Sequence, residues 1–152
     1  MTNSNYDFEK DLPLSESAEY AILNEINKKY PDAYKKEGYC KGFDIVVPSA
    51  NNKLVEIKYD RQTLKTGNYF IETRSNDISS GINTTRADWY VFVDDRYFIW
   101  VSIIDLKALA DNYKEITYPP RGKDCSRSGK LIGRREIHRL GKLIKHNFNL
   151  II

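Results

Sequence analysis

Two strand-length runs separated by five residues constrain this chain more than any other feature: Phe43-Asp44-Ile45-Val46-Val47 and Lys53-Leu54-Val55-Glu56-Ile57-Lys58-Tyr59. The first is apolar except for its aspartate. The second alternates, so Leu54, Glu56 and Lys58 share one face and Val55, Ile57 and Tyr59 the other. The intervening Pro48-Ser49-Ala50-Asn51-Asn52 has the composition of a hairpin loop. Pairing these strands brings Asp44 beside Glu56 and Lys58 at one end of a sheet. Two carboxylates and an amine so placed suit a magnesium ion working against a phosphodiester.

The flanking pattern is that of a single domain, and 152 residues suffice for one real core. Residues 1 to 13 read as a loose arm ending at Pro13. Ser15 is a plausible N-cap for a helix reaching about Lys29, with Ala18, Ile22, Leu23 and Ile26 at helical spacing. Glu19 falls on that same buried stripe, and Glu16 takes its place if the helix phase shifts. A third strand is expected at Tyr69–Thr73, then a loop over 74 to 87 with at most a short helix. Trp89–Val93 and Tyr97–Val101 read as a buried hairpin, Ser102 as the cap of a helix over 103 to 112. Beyond Pro119-Pro120 the pattern gives a Gly/Ser-rich loop around 122 to 129 and a last helix over 134 to 145.

Charge is segregated along the chain. Between Arg121 and Lys145 nine Lys or Arg face two acids, a local +7 in a chain of net +3, which leaves −4 elsewhere. Such a segment suits a polyanion. Its candidate DNA contacts are Arg121, Lys123, Arg127 and Lys130 on the loop, then Arg134, Arg135 and Arg139 on the helix. The bland reading is a solvated amphipathic helix, since Ile137, Leu140 and Ile144 form a packing stripe. Arg74 and Arg86, flanking the Ser/Thr-rich loop, are further phosphate candidates.

Other chemistries lack residues. His138 and His146 alone do not make a zinc site. No phosphate-binding loop or dinucleotide fingerprint occurs, so no nucleotide cofactor is expected. Cys40 and Cys125 read as free thiols of a reducing, cytoplasmic setting. Met1 to Lys10 is polar, so no signal peptide is expected, and no apolar run has the length of a membrane span.

The order helix, three strands, connecting segment, strand over roughly residues 15 to 102 resembles the αβββαβ core of the PD-(D/E)XK nuclease superfamily, which includes restriction endonucleases and Holliday junction resolvases. The resemblance implies an α/β fold with a mixed central sheet flanked by helices. It implies Asp44 as the motif's first acid, Glu56 as its second, Lys58 as its lysine, and Glu19 as the helix acid that many members carry. Phe43 stands where the motif has proline. The stretch Ser80–Asp88 also looks like a segment preceding the fourth strand in some phage and bacterial members. The expected activity is Mg2+-dependent DNA cleavage, with Mn2+ as a substitute, at an Asp44/Glu56 metal site. The backbone carbonyl of Ile57 could complete that site, and Glu72 could support it. Lys58 could be general base or charge stabiliser. Structure-selective and site-specific cutting both remain open, a dimer is expected for double-strand cutting, and the alternative is a catalytically silent DNA-binding or assembly protein on the same fold.

Overall fold

A computed structural model describes residues 8–38, 42–60 and 62–146. Helix α1 (Phe8–Asn27) is followed by β1 (Tyr34–Lys35), β2 (Ile45–Val47), a short 3₁₀ turn at Pro48–Ala50, and β3 (Lys53–Tyr59). Next come α2 (Thr63–Thr66), β4 (Asn68–Ser75), β5 (Ile78–Ser79), a 3₁₀ turn at Gly81–Asn83, β6 (Trp89–Val93) and β7 (Tyr97–Ser102). The chain closes with α3 (Ile103–Ala110), β8 (Ile116–Tyr118), β9 (Arg127–Gly133), α4 (Arg134–Leu140) and β10 (Lys142–Lys145). No helix among the described residues is long and apolar enough to cross a membrane.

The architecture is α/β with two sheets. A mixed six-stranded sheet runs β1-β2-β3-β6-β7-β10, and an antiparallel four-stranded sheet runs β5-β4-β9-β8. In the mixed sheet β2 and β3 are antiparallel, with Ile45 opposite Val55, while β3 and β6 are parallel, with Glu56 level with Tyr90. The strand expected third, β4, therefore leaves the sheet that holds β2 and β3, and β6 takes its place beside β3. The reason lies in β6 itself. Trp-Tyr-Val-Phe-Val is apolar on both faces, as a strand buried from both sides must be. Val91 and Val93 join Ala18, Ile22 and Ile26 of α1 in one core cluster, and Tyr90 and Phe92 join Tyr69, Ile71 and Ile132 of the second sheet in the other.

Several sequence boundaries move. Helix α1 begins before Ser15, which is therefore interior rather than a cap, and Pro13 lies within the helix at the loss of one backbone bond. Ser102 does cap α3, its Oγ accepting from the Asp105 N–H at 3.2 Å. The expected loop over 122 to 129 ends in β9. Ser128 and Gly129 are buried there, and a Cβ on Gly129 would lie 2.5 Å from the Ile71 carbonyl oxygen. Glycine here marks strands in close approach rather than a loop. The last helix stops at Leu140, and 142 to 145 add an edge strand antiparallel to β7.

Candidate active site

Strand parity puts three of the expected residues on one face. Ile45, Val47, Val55 and Ile57 point into the cluster under α1. Asp44, Glu56 and Lys58, each one residue out of phase with them, face the other way. Asp44 precedes β2 directly, and its Oδ2 accepts from the Ile57 N–H at 2.7 Å. That bond fixes the carboxyl against β3. The Ile57 carbonyl leaves its strand on the same side as this N–H.

The electrostatics are those of crowded acids. Burial pushes the Asp44 carboxyl up to about 7, the charge of Glu56 adds to the shift, and the Ile57 N–H and Lys58 only partly oppose it. Glu19 also contributes, arriving from α1 at the edge of the sheet. Its carboxylate is held by Lys35 Nζ at 2.7 Å, and that ammonium also sits 4.8 Å from the Tyr20 ring centroid. Glu16 is exposed. Lys58 Nζ lies 3.2 Å from Glu56 Oε1 and 5.3 Å above the Tyr90 ring. Burial pulls the lysine down, but Glu56 and Tyr90 outweigh it and hold the ammonium above the ordinary lysine value.

Glu72 belongs to the second sheet. It accepts from Ser80 Oγ at 3.0 Å and stands 3.9 Å from Arg127 Nε. Its charge reaches Tyr90, the residue beneath Lys58. Glu72 thus borders the site without joining Asp44 and Glu56. Tyr90 and Lys35 are the contributors that sequence patterning passed over. Tyr90 read simply as core, and only its register opposite Glu56 gives it a part.

Two carboxylates and a strand carbonyl fit a hard cation that keeps several waters, which is how Mg2+ is commonly held. Among the described residues no three His, Cys, Asp or Glu side chains form a ready-made metal cage. The fit therefore depends on Asp44 and Glu56 with backbone and water, not on a closed protein shell.

The expected DNA contacts divide. Arg121 and Lys123 are exposed in the loop before β9, and Arg135 is exposed on α4. Arg127 is exposed on β9 beside Glu72. Lys130 and Arg134 are committed inside the protein. Lys130 Nζ donates to the carbonyls of Ala110 (3.2 Å) and Tyr113 (2.6 Å), finishing α3. Arg134 grips the fully buried Asp94 at 3.1 Å and also pairs with Asp95. Arg139 pairs with Glu136 at 2.9 Å on the surface. Arg74 is held through two nitrogens by Glu115 and by Asp77. Cys125 is an exposed free thiol, whereas Cys40 lies outside the described residues.

No family model, curated protein or solved structure matches this chain.

Proposed function

We propose that this protein is a Mg2+-dependent DNA nuclease, an endonuclease with the restriction-endonuclease-like site that its Asp44, Glu56 and Lys58 resemble. The observation that carries the reading is the convergence of these three side chains on one end of a sheet, where burial and the charge of Glu56 raise the cost of ionising Asp44. Asp44, Glu56 and the Ile57 carbonyl would hold Mg2+ or Mn2+. The ion would supply positive charge against the phosphodiester and lower the pKa of water.

The protein's own residues account for the rest. The Ile57 N–H fixes one oxygen of Asp44, and the other would bind the ion. Lys58 stays an ammonium, which favours charge stabilisation over proton abstraction as its role. It would face the extra negative charge that the phosphate gains as the attacking oxygen arrives. Glu19, oriented by Lys35, adds its charge at Asp44 and would act through water. DNA is the substrate class favoured by the exposed basic residues, and the same site on two copies would cut both strands.

The test is a substrate panel. Supercoiled plasmid, linear duplex and four-way junction are incubated with the full chain in Mg2+ or EDTA. Cleavage in Mg2+ alone is expected. Glu56→Ala and Lys58→Ala should each abolish cleavage while binding survives. Binding without cleavage on every substrate would leave a DNA-binding protein on this fold, and equal cleavage by wild type and both variants would overturn the assigned site.

A further inference from the structure

The segment from Ser80 to Arg86 forms a lip that runs from one border of the candidate site to the other. At its start Ser80 is tied to β4 twice: its N–H donates to the Thr73 carbonyl at 2.9 Å, and its Oγ donates to Glu72. Gly81 follows at φ +53°, where a Cβ would lie 2.1 Å from the Glu72 carbonyl oxygen, so the backbone lies flat on β4 there. At its end Thr85 Oγ1 donates to the Gly42 carbonyl at 3.1 Å and also accepts from the Ala87 N–H at 3.1 Å. The same side chain acts on Tyr90, whose ring supports Lys58. The lip is therefore fastened to Glu72 at one end and to the residues just before Asp44 at the other.

Each end carries an exposed arginine. Arg127 stands beside Glu72 at the first. At the second, the Arg86 guanidinium lies 5.2 Å over the ring of buried Phe43, the residue before Asp44. No carboxylate pairs with Arg86 among the described residues, unlike Arg74, Arg134 and Arg139. A ring beside the group restrains it without using its N–H donors, which the exposed side chain keeps available. A planar fork matches two phosphate oxygens.

Resting on the nuclease reading, we propose that one DNA strand lies along this lip, with Arg86 clamping a backbone phosphate next to the scissile one and Arg127 taking a phosphate at the Glu72 end. The lip, more than α4, is then the principal phosphate-gripping element, since Arg134 there is consumed by Asp94. Arg86 is a substrate-binding residue and takes no part in bond cleavage.

The experiment separates binding from chemistry. Affinity of the full chain for a fluorescently labelled DNA duplex is measured in EDTA across a salt series, and cleavage is measured separately in Mg2+. Arg86→Ala should weaken binding about tenfold and reduce the salt slope by about one. Arg86→Lys should recover only part of the loss, because a point charge replaces the fork. Arg127→Ala should act in the same direction, and Lys142→Ala, an equal charge removed from the β10 edge, should not. In cleavage, Arg86→Ala should raise KM and leave kcat within a few fold. An Arg86→Ala chain that binds like wild type overturns the lip, even if wild type cleaves. A wild type that binds no duplex also overturns it. Loss of binding in Arg86→Ala alongside a wild type that never cleaves upholds the lip and sinks the nuclease reading.

Discussion

Asp44 shows how much one side chain's surroundings can say. Its carboxyl is buried beside Glu56 and titrates near 7, well above the unfolded value of about 4. Between those two pH values the folded state holds a proton that the unfolded state has released, so stability falls as pH rises across that window. Three units correspond to a ceiling of about 4 kcal/mol. Asp44→Asn keeps an oxygen for the Ile57 N–H and removes the ionisation. We expect this variant to be the more thermostable protein at pH 7.5, with its advantage shrinking towards pH 4. Thermal denaturation of both proteins across that range checks the sign; a wild type that gains stability from pH 4 to 7 relative to the variant would contradict it. Asp44, Glu56, Lys58 and Glu19 were all legible from strand alternation and helical phase. Tyr90 was not, because sequence gives no register between strands so far apart in the chain.

At the scale of elements, the turn between β6 and β7 is clasped to α4. Asp94 is fully buried. It accepts from the Arg96 and Tyr97 N–H groups at 2.9 and 2.6 Å, from Arg134, and from His138 Nε2 at 2.6 Å. His146 Nε2 reaches the Asp94 carbonyl at 2.7 Å, so both histidines of the described chain serve this one turn. Burial would raise the Asp94 carboxyl, but these donors hold it below the usual range. Removing the carboxylate leaves Arg134 with Asp95 alone and the Arg96 and Tyr97 N–H groups without their acceptor, and Asp94→Ala should cost about 3–5 kcal/mol, read as a denaturation midpoint shift. Arg134→Ala should likewise lower stability yet leave the DNA salt slope nearly unchanged, the reverse of what a phosphate contact would give. The start of the adjoining β9 falls in the loop expected over 122 to 129 because Ser and Gly are common in turns. Tertiary crowding explains both residues: Gly129 lies against Ile71 and Phe70, and Ser128 Oγ bonds Thr117 Oγ1 at 2.8 Å. Gly129→Ala should destabilise by about 1–3 kcal/mol through overpacking, again read from the midpoint.

For the molecule as a whole, the six-stranded sheet is covered by α1 on one face and by the four-stranded sheet, α3 and α4 on the other. Glu56 and Lys58 lie half-buried on that second face, with Asp44 beside them. If a divalent ion completes this site it binds only the folded chain, and an ion at a hundredfold its Kd adds about 2.7 kcal/mol. For a chain of this size that is a rise of roughly 5–10 °C in Tm. We expect Mn2+ to raise the Tm of wild type and to leave Glu56→Ala unmoved; equal shifts in both would place the ion elsewhere. Local patterns were readable in the order of residues: an amphipathic first helix, an acid and a Glu-x-Lys pair in phase on adjacent strands, and a strand apolar on both faces. Period and parity are written residue by residue, so such features need no partner to be read. Packing between distant segments set the rest: β4 joins a second sheet, β6 pairs with β3, and the arginine at 134 turns inward while the one at 86 is exposed. Those outcomes depend on which distant surfaces compete for the same strand edge or the same buried charge, and no local pattern encodes that competition.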